Sequence, residues 1–193
     1  RRAVVIGKRL LAVAVAVVVL GLAAVPMAVI ALAVRLTMGR PVLFRQPRPG
    51  RGEVAFTLLK FRTMRVPRAG EDALATDAER LTRLGRWLRR TSLDELPTLW
   101  NVLRGDMSLV GPRPLLVSYL DRYSPEQRRR HEVKPGVTGL AQVEGRNDLS
   151  WEEQFRLDVW YVDHRTLALD LSILARTLRT VVSGTGVSPT GRA

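Results

Sequence analysis

Residues 10–34 read LLAVAVAVVVLGLAAVPMAVIALAV, a run without a charged or strongly polar side chain. As a helix rising about 1.5 Å per residue, this segment is long enough to cross a hydrocarbon core about 30 Å thick. A cleavable signal peptide would have a shorter apolar stretch and a small-residue cleavage site, and neither is evident. A buried core helix of this length and uniform apolarity is uncommon. We therefore predict a membrane-embedded helix, with membrane lipids as partners.

Basic residues flank the apolar run on both sides. A spanning helix normally has its more basic end in the cytoplasm, and here neither end is distinguished. Pro26 lies near the middle of the run, where a proline removes a backbone hydrogen bond and kinks a helix. Both observations favour a re-entrant hairpin over residues 1–40 that turns back at Pro26 and has both ends on the cytoplasmic side. The flanking residues are Arg1, Arg2, Lys8 and Arg9 before the run and Arg35, Arg40, Arg45, Arg48 and Arg51 after it.

The overall composition bounds the partners of the chain. Its 193 residues carry a formal net charge of +13 and no cysteine, which excludes disulfides and thiolate metal sites. The charge favours anionic partners, namely nucleic acid, phosphorylated substrates or an anionic membrane surface. Of the 31 basic residues only Lys8, Lys60 and Lys134 are lysines, and an arginine excess can reflect genome composition alone. Composition therefore indicates an anionic partner without choosing among the three.

Residues 41–193 are predicted to form one small cytosolic α+β domain, mostly helical, that docks on the membrane segment. Short strands are expected at 42–44 and 54–61, around a proline- and glycine-rich turn at 47–52. The rest of the pattern predicts a loop at 66–79, helices at 80–90, 95–104, 114–122, 125–132, 151–161 and 170–183, and a glycine-punctuated turn with a short strand at 134–146.

The segment 80–90 has the pattern of an amphipathic helix. Leu81, Leu84, Trp87 and Leu88 fall on one helical face, and arginines fill the remainder. A basic amphipathic helix with a tryptophan suits a membrane surface, although packing of the same face on the core is equally compatible. We expect interfacial helices of this kind to help dock the domain on the membrane.

Two adjacent carboxylates, Asp94 and Glu95, lie in TSLDELPTLWNVLRGDMSLVGPRP, residues 91–114. Ser92 and Glu95 match a capping box, with Ser92 as the cap and Glu95 three residues on. Alternatively Asp94 is the cap and Pro97 falls in the first turn, where a missing N–H does no harm. On these signatures alone capping is the favoured interpretation, and either form places the pair at a helix N-terminus.

The same placement also allows chemistry. A helix start and nearby arginines stabilise a carboxylate's charged form, so we expect Asp94 to be ionised and nucleophilic at neutral pH. Adjacent helical residues point about 100° apart and cannot face each other as an acid–base couple. Asp94 and Glu95 could instead share one cation or one phosphate. Magnesium fits, because it prefers a carboxylate or two together with substrate phosphate oxygens.

Arg113 is the strongest cationic companion of the pair. Prolines on both sides restrict its backbone, which lowers the entropy lost when a guanidinium clamps a phosphate through two bonds. Lys60 and Arg62 lie on one face if 58–63 is a strand. Any single arginine in so basic a chain is more often a solvated surface charge. His131 and His164 lack ligand-spaced partners and are predicted to be surface or structural residues.

Five motifs follow one another in an order that resembles the bacterial sugar transferase family. These proteins are monotopic polyprenyl-phosphate phosphoglycosyl transferases that begin capsule, exopolysaccharide and glycan synthesis. The resemblance covers about residues 6–183. Its motifs are PVLFRQPRPG, KFRTM, GRWLRRTSLDELPTLWNVLRGDMSLVGPRP, KPGVTGLAQVEGR and LALDLSILARTLRTVV.

The resemblance implies a reaction at the cytoplasmic face of the bacterial inner membrane. A phospho-sugar moves from a UDP-sugar to undecaprenyl phosphate, and UMP is released with magnesium as cofactor. Asp94 matches the family's nucleophile, which forms a phosphosugar–aspartyl intermediate and is expected to contact the metal. Glu95 matches the second acid, which assists with the metal or a proton.

The resemblance also implies substrate-binding cations and a helix break. Lys60, Arg89 and Arg113 match the family's phosphate-binding residues, and Arg62 is a weaker match. Pro26 matches the proline at which the family's re-entrant helix is broken. Three positions depart from the family pattern. Relatives usually have an aspartate near Ala12, often a serine at Val25, and a glutamine at Thr98; the first two bear on the hairpin and the third on fine positioning.

Two other functions compete with this one. A membrane-anchored nucleic-acid-binding protein with a helix-turn-helix at 80–104 would explain the charge, but it would place the acidic pair against phosphate. We therefore expect no nucleic acid partner. A non-catalytic scaffold would not need Asp94, Glu95 and Arg113 together. The sequence leaves open which UDP-sugar is used and whether the chain forms a homodimer.

Overall fold

The computed structural model describes residues 2–67, 76–145 and 149–183. The described chain is mostly helical with two small sheets, as predicted. Its elements, in chain order, are helix α1 (Arg2–Met38), strands β1 (Leu43–Pro49) and β2 (Ala55–Phe61), helices α2 (Asp77–Arg80), α3 (Arg83–Arg90) and α4 (Thr98–Arg104), strand β3 (Ser108–Val110), helix α5 (Pro125–Arg128), strand β4 (Gly136–Thr138), and helices α6 (Leu140–Glu144), α7 (Trp151–His164) and α8 (Leu167–Ser183).

Helix α1 contains the whole apolar run and passes through Pro26 without leaving the helical conformation. By length and composition, Ile6–Met38 is able to cross a membrane. Much of its apolar surface faces outward, since Leu22 is 79% and Val25 73% exposed. Apolar exposure of this extent marks a surface that contacts something other than water. The predicted re-entrant geometry, in which the chain turns back at Pro26, stays a prediction. Because α1 is continuous, such a turn would have to be a kink within the helix.

Both ends of α1 are fastened to the same domain. Near its start, the Arg9 guanidinium donates to two carbonyl oxygens in the last turn of α4. At its end, the buried Arg62 guanidinium donates to the carbonyl oxygens of residues 38, 39 and 40. Carbonyls at a helix C-terminus have no partner within their helix. Arg9 supplies donors to the C-terminus of α4, and Arg62 supplies donors to the C-terminus of α1. The two contacts place both ends of α1 on one body.

The two strands predicted at 42–44 and 54–61 are present and form a β-hairpin, and the first strand is longer than expected. Strands β1 and β2 pair antiparallel, from Leu43 opposite Phe61 to Pro49 opposite Ala55, and a short 3₁₀ turn joins them. The prediction ended the first strand at residue 44 because prolines follow. A two-stranded ribbon leaves one edge of each strand unpaired, and a residue without an N–H is tolerated there.

Strands β3 and β4 form a second, parallel pair. Ser108 lies opposite Gly136 and Val110 opposite Thr138. A Cβ atom built on Gly136 would lie 2.1 Å from the backbone nitrogen of Gly111, so only glycine allows this approach. The contact fixes the point at which the chain enters residues 112–114.

The hydrophobic core joins α1 to the domain in two clusters. Ala12 and Ala16 of α1 pack in the first, and Ile30 and Val34 in the second. Helix α8 is further tied to α1 by the Lys8–Asp170 ion pair at 2.9 Å. The main partners of the first cluster are Leu58, Leu99, Val102, Met107, Leu109, Val110, Leu140, Tyr161 and Ile173, and those of the second are Phe61 and Leu88.

Several predicted helices are wrong in extent or type. The helix at 80–90 is split into α2 and α3, and helix α6 was missed inside the predicted turn at 134–146. Part of the predicted loop at 66–79 is helix α2, and residues 68–75 lie outside the described residues. Short segments that bury few side chains gain little from the full α-helical repeat, and 3₁₀ turns are common there. Such 3₁₀ turns occupy Leu93–Glu95, Val117–Arg122 and Arg129–Glu132.

Candidate active site

The acidic pair lies in the 3₁₀ turn Leu93–Glu95, between α3 and α4. The capping interpretation is wrong. Ser92 has a left-handed backbone with φ 56° and its side chain caps nothing, whereas an N-cap residue needs an extended backbone. Its N–H donates to the carbonyl oxygen of Arg89 at 3.1 Å, so Ser92 ends α3 instead of starting α4. Helix α4 begins three residues after Glu95, behind Pro97.

Glu95 is held by two cations from distant parts of the chain. Its Oε1 accepts from Lys60 Nζ at 2.5 Å and from Arg113 Nη2 at 3.3 Å. Burial opposes ionisation of this carboxyl, but Lys60 and Arg113 outweigh it and lower its pKa to about 2. Glu95 is therefore an anion at neutral pH and holds Lys60 and Arg113 together.

Asp94 has the opposite surroundings. It is 8% exposed, and within residues 2–67, 76–145 and 149–183 no hydrogen bond or ion pair to its carboxylate is found. Burial and the charge of Glu95 raise its pKa to about 6, against the opposing effect of Lys60, Arg89 and Arg113. The expectation that its surroundings favour the charged form is wrong in direction. At pH 7 about nine-tenths of Asp94 is still ionised.

The pair thus has pKa values set apart by its environment, about 2 for Glu95 and about 6 for Asp94. Divergent pKa values in neighbouring carboxyls are a common way to divide chemical roles between them. The paired carboxylate organises the site, and the unpaired one keeps its lone pairs available for a phosphorus atom or a metal ion.

The structure brings four of the predicted residues around Asp94 and leaves one elsewhere. Lys60 comes from β2 and Glu95 from the 3₁₀ turn, while Arg89 projects from α3 and donates through Nε to Thr63 Oγ1 at 3.0 Å. Arg113, from the segment after β3, donates to Glu95 Oε1 at 3.3 Å. Arg62 does not join them, because its guanidinium closes the C-terminal end of α1. Its predicted substrate contact has no support in this geometry.

Arg113 sits on a loop whose three carbonyls are all hydrogen bonded. The Pro112 oxygen accepts from the Gly136 N–H at 3.0 Å. The Arg113 oxygen accepts from Arg130 Nη2 at 2.8 Å, and the Pro114 oxygen from Arg48 Nη1 at 3.2 Å. We call residues 112–114 the PRP loop. Its backbone is fixed at every step, while the Arg113 side chain remains 39% exposed.

Sequence reasoning missed Arg48 and Arg130. Both are buried, and nothing in their local sequence sets them apart from the other arginines. The Arg130 charge is neutralised by Asp158, 28 residues further along the chain, at 2.7 Å. Such a partner is found only once the chain is folded.

The two histidines lie outside the acidic pair, as predicted. His131 is buried beside the PRP loop, and burial together with Arg130 lowers its pKa to about 4, against a hydrogen bond with the backbone of Gly50. His164 is exposed and stacks on Trp160, with ring centroids 4.3 Å apart. His131 is therefore buried, and His164 lies on the surface.

Asp94 is the residue that is predicted to contact magnesium. Among the described residues no group of three or more histidine, cysteine, aspartate or glutamate side chains converges, so they build no complete protein cage for a metal. Asp94, a buried carboxylate without a hydrogen-bond or ion-pair partner among the described residues, lies near Lys60, Arg89 and Arg113. This arrangement fits a magnesium ion that takes most of its ligands from phosphates and water.

Comparison with known proteins identifies the family. The profile described as bacterial sugar transferase matches residues 3–184. The chain belongs to this family of transferases.

Three relatives illustrate the similarity. The chain is 56% identical over 157 residues to the "Uncharacterized sugar transferase EpsL" of Bacillus subtilis, covering 81% of this chain and 78% of the relative. It is 43% identical over 193 residues to the "UDP-glucose:undecaprenyl-phosphate glucose-1-phosphate transferase" of Caulobacter vibrioides, covering 95% and 72%. It is 42% identical to the "Undecaprenyl-phosphate galactose phosphotransferase" of Salmonella typhimurium, where it covers 77% of this chain and 35% of the relative. The chain therefore spans most of the first two and about a third of the third.

Proposed function

We propose that this protein transfers a phospho-sugar from a UDP-sugar to undecaprenyl phosphate and releases UMP, as the first membrane step of a bacterial glycan. The observation that carries the proposal is the Asp94 carboxylate, which is buried near Lys60, Arg89 and Arg113 and has no hydrogen-bond or ion-pair partner in the part of the chain that the structure describes. A carboxylate surrounded by phosphate-binding cations suits attack on a phosphorus atom. The names of two relatives support the substrate classes, since they include undecaprenyl phosphate and UDP-glucose.

In the first step an Asp94 oxygen attacks the β-phosphorus of the UDP-sugar. The new bond joins Asp94 to phosphorus, and the bond from that phosphorus to the bridging oxygen breaks. UMP leaves with the electron pair and the negative charge. Lys60, Arg89 and Arg113 lie where charge grows on the phosphoryl oxygens, and positioned cations stabilise such charge most in a site sheltered from water.

In the second step the phosphate oxygen of undecaprenyl phosphate attacks the same phosphorus. The acyl–phosphate bond breaks, and Asp94 returns as a carboxylate with no proton transferred. Glu95 takes no proton in either step because its pKa is about 2. Its proposed role is to hold Lys60 and Arg113 at fixed positions while the phosphoryl group is replaced.

Asp94 is the residue that would hold magnesium. When bound, the ion supplies neutralising charge for the pyrophosphate. The lysine and the two arginines bind the remaining phosphoryl oxygens.

We further propose that α1 enters the inner membrane from the cytoplasmic side and returns there near Pro26. Both ends of α1 are held by one domain, through Arg9 and Arg62, and one domain cannot lie on both sides of a bilayer. Trp87 is 45% and Trp100 53% exposed, as suits aromatic side chains at a membrane interface. Nucleotide sugars are made in the cytoplasm, so the catalytic side must face it.

Two cysteines, Ala3→Cys and Arg45→Cys, test this topology in a chain that has no cysteine of its own. Both should react with an impermeant maleimide only when the cytoplasmic face of sealed vesicles is exposed. Labelling of position 3 from the periplasmic face, with position 45 still cytoplasmic, would show a spanning helix and reject the hairpin.

The activity is tested by incubating the purified protein with undecaprenyl phosphate, magnesium and a panel of UDP-sugars. UMP release that requires the lipid phosphate, with the phosphosugar trapped on the protein when the lipid is omitted, is the expected result. If no member of a panel that includes the glucose and galactose donors yields UMP, the proposed function is wrong.

A further inference from the structure

Arg130 is a buried charge outside the reacting groups. Its side chain is 1% exposed and that of Asp158 3%, and Arg130 Nε and Nη2 donate to Asp158 Oδ2 at 3.1 and 2.7 Å. Replacing such a buried pair by apolar side chains is often neutral or stabilising for a protein. Its presence here calls for a reason other than stability, and the remaining bonds of Arg130 supply one.

The same guanidinium reaches the PRP loop. Arg130 Nη2 also donates to the Arg113 carbonyl oxygen at 2.8 Å, and Nη1 donates to the Tyr123 hydroxyl at 3.2 Å. The planar guanidinium therefore joins Asp158 to the backbone of Arg113 in one rigid unit. Lysine has no planar fork and cannot reproduce this geometry.

The backbone at Arg113 has little other freedom. Pro112 and Pro114 have φ fixed near −65° by their rings, and a following proline restricts Arg113 itself. The carbonyls on either side are taken by Gly136 and Arg48. The hydrogen bond to the Arg113 carbonyl therefore fixes the last free peptide group of the loop. The orientation of this peptide group sets the direction in which the Arg113 side chain leaves the loop.

We propose that Arg130, held by Asp158, is a positioning residue for Arg113 and thereby sets the grip of the enzyme on the substrate's diphosphate. This inference rests on the proposed function, in which Arg113 contacts the phosphoryl group. Arg130 is 2% exposed, so the substrate cannot reach it. It acts only through the main chain of Arg113, whose guanidinium in turn faces Glu95 at 3.3 Å.

A double-mutant cycle between Arg130→Lys and Arg113→Ala tests the coupling. Arg130→Lys keeps the charge opposite Asp158 and should lower kcat/KM roughly 10- to 100-fold, the range expected when a catalytic group is displaced by about 1 Å. In the Arg113→Ala background the same change should cost less than about threefold, because a side chain that is absent cannot be misdirected. Equal losses in both backgrounds would overturn the proposal, since a merely structural role acts whether or not Arg113 is present.

Asp170→Asn is the matched control. Asp170 is another buried acid paired with a cation, Lys8 at 2.9 Å, but none of its hydrogen bonds reaches the PRP loop. Its effect on kcat/KM should be the same with and without Arg113. Coupling as large as that of Arg130 would show a general loss of folding and overturn the assignment.

Tyr123→Phe covers the case in which Arg130→Lys does not fold. It removes one of the bonds that orient Arg130 and leaves the charge pair intact, so a loss of a few-fold that disappears in the Arg113→Ala background is expected. A Tyr123→Phe effect that persists there counts against the proposal.

The same cycle read by UDP binding in calorimetry separates this inference from the proposed reaction. If the wild type binds UDP but releases no UMP from any donor, the reaction is wrong, and coupling of Arg130 to Arg113 in UDP affinity still supports the positioning role. If UDP binds with unchanged affinity in Arg130→Lys and is weakened in Arg113→Ala, the positioning role is wrong and the phosphate contact stands.

Discussion

The PRP loop lies between two groups of charged side chains that differ in how completely they are paired. On its outer side, Arg113 and Lys60 share one oxygen of Glu95, and Asp94 has no partner in the described part of the chain. On its inner side, the Arg130–Asp158 pair is almost completely buried, with distances of 2.7 and 3.1 Å. The outer charges keep donors and lone pairs free for a ligand, whereas the inner charges are paired with each other and with the backbone.

The difference shows how one short loop serves both chemistry and rigidity. Incompletely paired charges can stabilise a charge that appears during a reaction, provided that they are already in place. Fully paired buried charges resist displacement, because breaking either partner away leaves a charge without compensation. The outer charges stabilise charge in the reaction, and the inner charges keep the loop rigid. Mutations on the outer side should therefore change the chemical step directly, and mutations on the inner side should change the position of the loop.

The largest expected effect belongs to the outer side. Asp94→Asn should reduce turnover by several orders of magnitude, as the loss of a nucleophile does in other covalent enzymes. Thermal stability at pH 7.5 should be kept or slightly raised, because the native pKa of Asp94 is about 6 and burial of its charge is unfavourable. UMP release and a melting curve of the detergent-solubilised protein measure the two quantities.

Asp121→Asn, at an exposed aspartate outside the site, is the matched control and should behave as wild type. An Asp94→Asn protein that keeps most of its UMP release would show that Asp94 is not the nucleophile.

The next effect concerns the shape of the cation at position 113. Arg113→Lys should lower kcat/KM on the order of 10²-fold, nearly as much as Arg113→Ala. Lysine keeps the charge but loses the planar fork that reaches Glu95 and a phosphate together. Arg83→Lys, at an exposed arginine of α3, is the control. Near-normal kinetics of Arg113→Lys with a donor that is turned over by wild type would place Arg113 outside the phosphate site.

The outer side could be predicted from sequence much better than the inner side. Lys60 lies in the motif KFRTM, and one long motif, residues 85–114, contains the other four, Arg89, Asp94, Glu95 and Arg113. The order of the motifs along the chain resembles one family. The β-hairpin followed from two short strand-like segments on either side of a proline- and glycine-rich turn, and α1 followed from a long apolar run.

The inner side has no such local signal. Arg130 and Asp158 are 28 residues apart, and their pairing depends on how α7 packs against the 3₁₀ turn that contains Arg130. The local pattern is also misleading at Ser92, where a capping-box spacing is present but the backbone is left-handed. Its conformation is set by the end of α3, which the spacing of side chains does not reveal. Helix α6 was missed because glycines at both of its ends resembled a turn.

A smaller effect is expected in the pH dependence of the outer side. If attack requires ionised Asp94, kcat/KM should fall about tenfold per pH unit below a pKa of about 6 and be level above it. Because the charge of Glu95 raises this pKa, Glu95→Gln should move the acid limb to lower pH, although its overall rate is reduced by the release of Lys60 and Arg113. An acid limb that stays in place or moves upward in Glu95→Gln would contradict the proposed coupling of the two carboxyls.

The smallest effect compares the two sides through stability. Burial lowers the pKa of His131 from 6.5 to about 4, so between these values the unfolded chain binds a proton that the native protein does not. The stability contributed by neutral His131 is complete above pH 6.5 and is lost as pH falls toward 4. Asp94 has the opposite sign: its pKa is raised from 3.8 to about 6, so the native protein binds the proton first and gains stability over much of the same interval.

The two contributions offset each other in wild type, and single substitutions should separate them. On going from pH 7 to pH 5, Asp94→Asn should lose more stability than wild type, and His131→Gln should lose less. Each difference is bounded by about 1.4 kcal/mol per pH unit, the free energy that corresponds to one unit of pKa shift. Melting temperatures at the two pH values measure both. If His131→Gln loses as much stability as wild type between pH 7 and pH 5, burial does not hold His131 neutral. The inner side of the PRP loop would then be more accessible to water than the low pKa of His131 implies.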